Sequence, residues 1–250
     1  MDLGIKDKVA IVTGAARGLG KADCLKLVEE GVKVAVVDIL DKPGEATAKE
    51  INDKGGTAIF VKCDITDRPN VKEMVTTVEK ELGPVDILIN NAAVVTTVSK
   101  VENLKDELWD RDLLVNLTGA YNVTKAVYPG MCEREWGRIV SMASIAGLLG
   151  GFGQVSYSTT KIGIVGMARS VALEGARHGV TSNVVAPGII GTEMLMMSPK
   201  LEVMRKRVAM RKEGEPDDIA NTILFLCSQQ AKYITGAVIR VTGGMDLFTF

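Results

Sequence analysis

The chain has a single histidine, His178, and four cysteines, Cys24, Cys63, Cys132 and Cys227, which lie far apart with no C-x-x-C pair. That set offers neither a ligand spacing for zinc nor a disulfide framework, so reduced, mostly buried thiols and no metal site are expected. Basic residues number 30 and acidic residues 31, so no net field of either sign draws nucleic acid or an anionic membrane surface. Missing too is any run of about 18 apolar residues, or a basic N-terminal stretch leading into an apolar one, which points to a cytoplasmic protein. No Pro/Ser/Gly tract, charge block or internal repeat interrupts residues 1–250, and their number suits one domain. Aromatics are only 4% of the chain against 46% for all hydrophobic residues, a balance suited to small β-branched strands packed under Ala- and Gly-rich helices.

What the sequence does contain is a set of seven short apolar runs, at 9–13, 33–38, 57–64, 85–90, 138–144, 181–186 and 237–242, separated by helix-length segments. Continuous Val/Ile/Leu runs suit strands buried on both faces, and helical crossovers between them call for a parallel, right-handed arrangement. The expected fold class is α/β: a single Rossmann-type doubly wound sheet of seven parallel strands, flanked by helices on both faces. Such sheets bind ligands beyond the carboxyl ends of their strands, so functional residues are expected just after the runs.

Tyr157 and Lys161 stand four apart in a segment from Val155 to His178 that reads as helix, so phenol and ammonium share one face. A cation beside a phenol favours the phenolate and lowers its pKa from an ordinary value of about 10. Ser144, thirteen residues upstream at the end of a strand, offers a hydroxyl that can hold a substrate oxygen while the tyrosine moves its proton. Together they describe a general acid/base site built without histidine or metal. Taken alone, the same pair also fits an exposed amphipathic helix face.

After the first strand come Gly14, Gly18 and Gly20, with Arg17 and Leu19 between them. Glycines there permit a tight turn and let backbone N–H groups at a helix N-terminus approach a diphosphate. The second strand ends in Asp38, followed by Ile39; a carboxylate at that point accepts from the hydroxyls of an adenosine ribose and repels a 2′-phosphate. Arg17 speaks the other way, since a guanidinium can clamp such a phosphate. Asp38 weighs more, so NAD is expected over NADP. Asp64 and Ile65 end the third strand and Asn90, Asn91, Ala92 and Ala93 the fourth, both beside the expected dinucleotide.

These motifs, with Asn116 in the stretch 115–119 and Pro187, Gly188, Ile190 and Thr192 after the sixth strand, occur in one order in one chain. Together they resemble the short-chain dehydrogenase/reductases, from about Lys8 to Gly244, and within them the 3-oxoacyl-thioester reductases and hydroxyacyl-CoA dehydrogenases. The resemblance implies that Tyr157 is the general base in oxidation and acid in reduction, and that Ser144 binds the substrate oxygen. It implies that Lys161 binds the nicotinamide ribose and lowers the tyrosine pKa, and that Asn116 anchors a water in a proton relay. Thr192 would contact the carboxamide, with Ile190 backbone nearby. Two positions depart from the family: Ala93 replaces a common glycine, which would strain a site needing positive φ, and Thr181 replaces a common arginine.

A substrate lid is expected at about 192–212, rich in methionine (Met194, Met196, Met197, Met204, Met210) and in cations (Lys200, Arg205, Lys206, Arg207, Arg211, Lys212). Thioethers adapt to an irregular apolar group and cations to phosphates, so a CoA or acyl-carrier-protein thioester would suit both, with Arg134, Arg138 and Arg177 extending the basic rim. A wet lid face without a ligand explains the same charges. Ala146, Phe152, Gln154, Met194 and Leu195 complete the expected pocket with Ser144, an apolar floor with one amide. A cyclic, aryl or steroid alcohol remains an alternative substrate, and a non-catalytic dinucleotide-binding subunit an alternative class. The resemblance also implies a homotetramer, and the short apolar tail at 245–250 is expected to reach a neighbouring subunit.

Overall fold

The computed structural model describes residues 2–95 and 98–247, with the side chain of Met194 outside the described set; residues 248–250 of the tail also lie outside it. Seven strands form one parallel sheet in the order β3-β2-β1-β4-β5-β6-β7. They are β1 (Val9–Thr13), β2 (Lys33–Asp38), β3 (Ala58–Lys62), β4 (Ile87–Asn90), β5 (Gly137–Met142), β6 (Val180–Pro187) and β7 (Val238–Val241). Each expected run is a strand, and the order reverses between β1 and β4, which opens a crevice at their carboxyl ends.

Helices α1 (Gly18–Glu29), α2 (Asp41–Asp53) and α3 (Arg68–Glu81) follow the first three strands. Beyond β4 come α4 (Asp106–Leu113), a π-helical turn (Leu114–Gly119) and α5 (Ala120–Glu133). Next are α6 (Ile145–Leu149) and α7 (Val155–Gly175), then the short lid helices α8 (Glu193–Met196) and α9 (Leu201–Arg205), and finally α10 (Pro216–Cys227). The five central strands, β2, β1, β4, β5 and β6, are buried on both faces, as their unbroken apolar sequences require, whereas the edge strands β3 and β7 are only partly covered. On one face Ala10, Val12, Ile87, Ile89 and Val140 pack with Leu27, Ile219 and Ile223 of α1 and α10. On the other Ile11, Leu88 and Ile139 meet Met74, Val78 and Val123 of α3 and α5, and Val184 meets Ile164 and Ala168 of α7. At about 25 cal/mol per Å² of apolar area removed from water, these two layers dominate the stability of the fold.

The amino edge of the sheet holds a cluster of its own. Lys8 Nζ lies 4.1 Å and the Arg138 guanidinium 4.6 Å from the Trp136 ring centre. Arg138 is buried and donates to the carbonyls of Gly137 and Gly179, while Arg134 donates to Val85 O and exposed Arg177 follows α7. These arginines flank the amino ends of β5 and β6, whereas Ser144 follows the carboxyl end of β5, so they do not extend a basic rim around the site. The spacing of charges along the sequence carried no information about which end of the sheet they occupy.

Candidate active site

The loop after β1 is shaped by close approaches. Gly14 has φ +65°, and a Cβ there would stand 2.7 Å from Ala92 Cα; a Cβ on Gly20 would stand 2.5 Å from Gly14 O. Asn91 fastens this loop by donating from Nδ2 to Thr13 O at 2.9 Å and Gly14 O at 3.0 Å. Thr13 Oγ1 accepts from the amides of Asn91 and Ala92, both at 3.1 Å; Thr13 opens the glycine-loop motif, but its hydroxyl had no role assigned from sequence because its partners follow β4, far along the chain. Ala93 is not among the described residues with positive φ, so its methyl group costs no backbone strain.

Helix α1 starts at Gly18 with neither a side-chain cap nor an acidic residue in its first turn, which leaves its N-terminal amides directed at whatever anion enters the crevice. Gly18, with φ +61°, is open: the nearest atom to its Cβ position is Thr192 Cγ2 at 4.0 Å. The loop after β6 is thus brought against the loop after β1. Asp38 is held by one backbone amide on each oxygen, Ala16 N on Oδ2 at 3.0 Å and Leu40 N on Oδ1 at 3.1 Å. An uncapped helix N-terminus, glycines that admit no Cβ and an oriented carboxylate at the next strand fit a dinucleotide. Ile39 is exposed beside Asp38. Asp64 instead closes its own turn by accepting from Thr66 N and Oγ1, and Ile65 is buried against Gly119. Pro187, Gly188 and Ile190 form the base of the β6 loop, with Ile190 in the core and Gly188 pressed on Thr242.

Beyond β5 the acid/base residues converge. Ser144 caps α6, accepting from Ala146 N at 3.2 Å, which leaves its own proton free to donate. Lys161 is buried on α7, and its Nζ donates to Met142 O at 2.7 Å and stands 5.7 Å from the Tyr157 ring centre. Burial pulls the Lys161 pKa down to about 8. For Tyr157 burial raises the phenol pKa above its ordinary value and the Ser144 hydroxyl opposes the shift. This is the reverse of the lowering expected from the i, i+4 spacing: the ammonium aims at a strand carbonyl rather than at the phenol, and desolvation wins. Asn116 is buried in the π-turn, a local widening of the helix often found at functional sites. Both ends of its amide are bound to Val94, accepting from N at 2.7 Å and donating to O at 3.0 Å.

The mouth of the site is apolar. Val98, Leu149, Phe152, Met196 and Met197 are all exposed around it, Phe152 at 85%. Ser99 N donates to Gly153 O at 2.8 Å, which ties the two mouth loops together. Gln154 opens α7 without capping it, and its side chain lies over Gly151. Ala146 and Leu195 are half-buried, and Met194 is the pocket residue whose side chain falls outside the described set. In the lid, Arg205 is engaged with Glu213 by two bonds, at 2.5 and 2.6 Å, and with Glu202. It is a strut within the lid, whereas Lys200, Lys206, Arg207 and Lys212 face solvent.

The short chain dehydrogenase family profile matches residues 8–202. The chain is 40% identical over 243 residues to the 3-oxoacyl-[acyl-carrier-protein] reductase FabG of Staphylococcus epidermidis, covering 96% of this chain and 99% of that one. It is also 40% identical over 248 residues to the (2S)-[(R)-hydroxy(phenyl)methyl]succinyl-CoA dehydrogenase subunit BbsD of Thauera aromatica, covering 98% and 99%. Among solved structures, gox2181 superposes with a TM-score of 0.94 at 30% identity over 99% of this chain and 98% of that one. A putative gluconate dehydrogenase from Agrobacterium tumefaciens superposes with 0.95 at 27% identity over the full length of both. The chain therefore belongs to the short-chain dehydrogenases, oxidoreductases that work with a nicotinamide dinucleotide.

Proposed function

We propose that the protein interconverts a secondary alcohol and a ketone with NAD, and that the substrate is a hydroxyacyl or oxoacyl thioester. The observation that carries the chemistry is the Tyr157 phenol, half-buried beside the Ser144 hydroxyl with the Lys161 ammonium on the same helix face. In oxidation Ser144 donates to the substrate oxygen and Tyr157 removes its proton; in reduction Tyr157 returns it. When bound, the dinucleotide accepts or supplies the hydride. Gly18, Leu19 and the α1 amides would hold its diphosphate, Asp38 its adenosine ribose, Lys161 its nicotinamide ribose, and Thr192 its carboxamide. With Lys161 holding the nicotinamide ribose, its ammonium charge near the phenol would oppose the upward shift of Tyr157.

Support for NAD is the Asp38 carboxylate, held by two backbone amides at the end of β2, where a 2′-phosphate would meet a like charge. Support for a thioester comes from the apolar mouth beside the solvent-facing lid cations, and from relatives whose names specify acyl-carrier-protein and CoA substrates. A homo-oligomer is supported by the exposed apolar residues Leu114 of the π-helical turn, Tyr121 of α5, and Ile162 and Leu173 of α7.

The test is NAD and NADP reduction with hydroxyacyl-CoAs, cyclic and aryl alcohols, steroids and polyols, run beside Tyr157→Phe. Turnover of a hydroxyacyl-CoA with NAD and its loss in Tyr157→Phe, with NAD binding retained, is the expected outcome. Turnover that survives in Tyr157→Phe refutes the acid/base role, and equal kcat/KM for both cofactors refutes the role of Asp38. Joint neutralisation of Lys206, Arg207 and Lys212 should raise KM for the CoA substrate at low salt and leave it unchanged at high salt.

A further inference from the structure

Two helical segments grip the start of α7 at two levels, one turn apart. Asp112 Oδ2 accepts from Ser156 Oγ at 2.6 Å, and Asn116 Nδ2 donates to Thr160 Oγ1 at 3.4 Å. Asp112 and Asn116 are four residues apart on one side, and Ser156 and Thr160 four apart on the other, so the two bonds form the rungs of a short ladder. Tyr157 lies between the rungs, and Lys161 follows the second. All four rung residues are buried, at 1% exposure or less.

The upper rung is a costly way to join two helices. A carboxylate loses its hydration on burial, and an apolar pair of similar size would seal the same contact without that loss. Here the carboxylate is matched on both oxygens: Arg111 Nη2 and Nε reach Oδ1 at 2.9 and 3.3 Å, and Ser156 holds Oδ2. A hydrogen bond constrains angle as well as distance, whereas apolar packing tolerates rotation and sliding. The residue it holds, Ser156, is the immediate neighbour of Tyr157.

We propose that Asp112 is a positioning residue for the reaction: through Ser156 it fixes the height and rotation of the first turn of α7, and so the place of the Tyr157 phenol beside Ser144. The inference rests on the reading of Tyr157 as the acid/base group. Ser156→Ala removes one oxygen and inserts a strong helix former, so it preserves the fold. Asp112→Ala removes the acceptor, and Asp112→Asn retains one for Ser156.

Ser156→Ala and Asp112→Ala are each expected to lower kcat about tenfold, as misplacement of a reacting group does, with KM for the dinucleotide unchanged. Both should shift the apparent pKa in the kcat–pH profile. The double variant should be no slower than Asp112→Ala, because both changes break one bond, and Asp112→Asn should recover most of the rate. Variants that melt at lower temperature yet keep wild-type kcat and pH profile, measured where all are folded, would overturn the proposal. Should Asp112→Ala not fold, Ser156→Ala decides alone: wild-type kcat and pH profile refute the role. If Tyr157→Phe is inactive while Ser156→Ala is normal, only the positioning role fails; if Tyr157→Phe stays active, the acid/base reading fails first.

Discussion

At Lys161 burial and chemistry pull in opposite directions. The ammonium is buried with Met142 O as its acceptor, and its pKa falls from 10.5 to about 8. The unfolded chain holds this proton up to about 10.5 and the folded chain releases it near 8, so stability rises with pH across that window. Below about 8 the penalty for burying the charge stands in full, and the shift corresponds to about 3 kcal/mol. Lys161→Met should therefore melt higher than the wild type at pH 7, lose that advantage toward pH 10, and turn over at background rate. Thermal melts at both pH values with a parallel NAD-reduction assay check this. Ser144, Tyr157 and Lys161 were read from their spacing after a strand and along a helix, whereas Asn116 was read only through the resemblance to the family. The direction of the Tyr157 shift was not legible, because it depends on where the Lys161 proton points. Asp112 and Ser156 carry no motif and become visible only when α4 meets α7.

Among the elements, the loop between β1 and α1 separates two kinds of glycine that look alike in sequence. Both Gly14 and Gly18 have positive φ, but a side chain at 14 would also strike Ala92 backbone at 2.7 Å, whereas one at 18 meets only Thr192 Cγ2 at 4.0 Å. Gly18→Ala should cost about 1 kcal/mol of backbone strain and keep the fold. Gly14→Ala should cost at least twice that, since backbone cannot step aside, and should abolish dinucleotide binding. Urea unfolding and titration with NADH separate the two cases. The central strands were legible for a physical reason: burial on both faces leaves an unbroken apolar run, while the half-covered edge strands β3 and β7 admit Lys62 and Arg240. The lid was legible as a composition only. The pairing of Arg205 with Glu202 lies within the i,i+3 rule, but its main partner, Glu213, lies eight residues away, a separation that no short-range rule for helix pairs covers.

For the whole molecule, the least expected group is Asp23. It sits on α1, buried against the α10 side of the sheet, with no hydrogen-bond partner for either carboxylate oxygen among the described residues. Burial raises its pKa well above 3.8. The folded chain thus keeps a proton that the unfolded chain gives up near pH 4, and stability falls as pH rises from there through the folded value. Asp23→Ala should be more stable than the wild type at pH 7, by about 1 kcal/mol or a few degrees in melting temperature, with the gain vanishing toward pH 4. Equal melting curves at both pH values would show that the carboxyl is solvated in solution.

The division of the sheet into two ends has a practical side. Arg138, Trp136 and Lys8 brace the amino edge, a full strand length from Ser144 and the loop of Gly14 to Gly20. A surface tether or an affinity handle placed near Arg177 or Glu135 would therefore hold the protein by its back. Immobilised in that orientation, the molecule presents the crevice and the methionine lid to the bulk phase, and every tethered copy keeps an unobstructed path for cofactor and substrate.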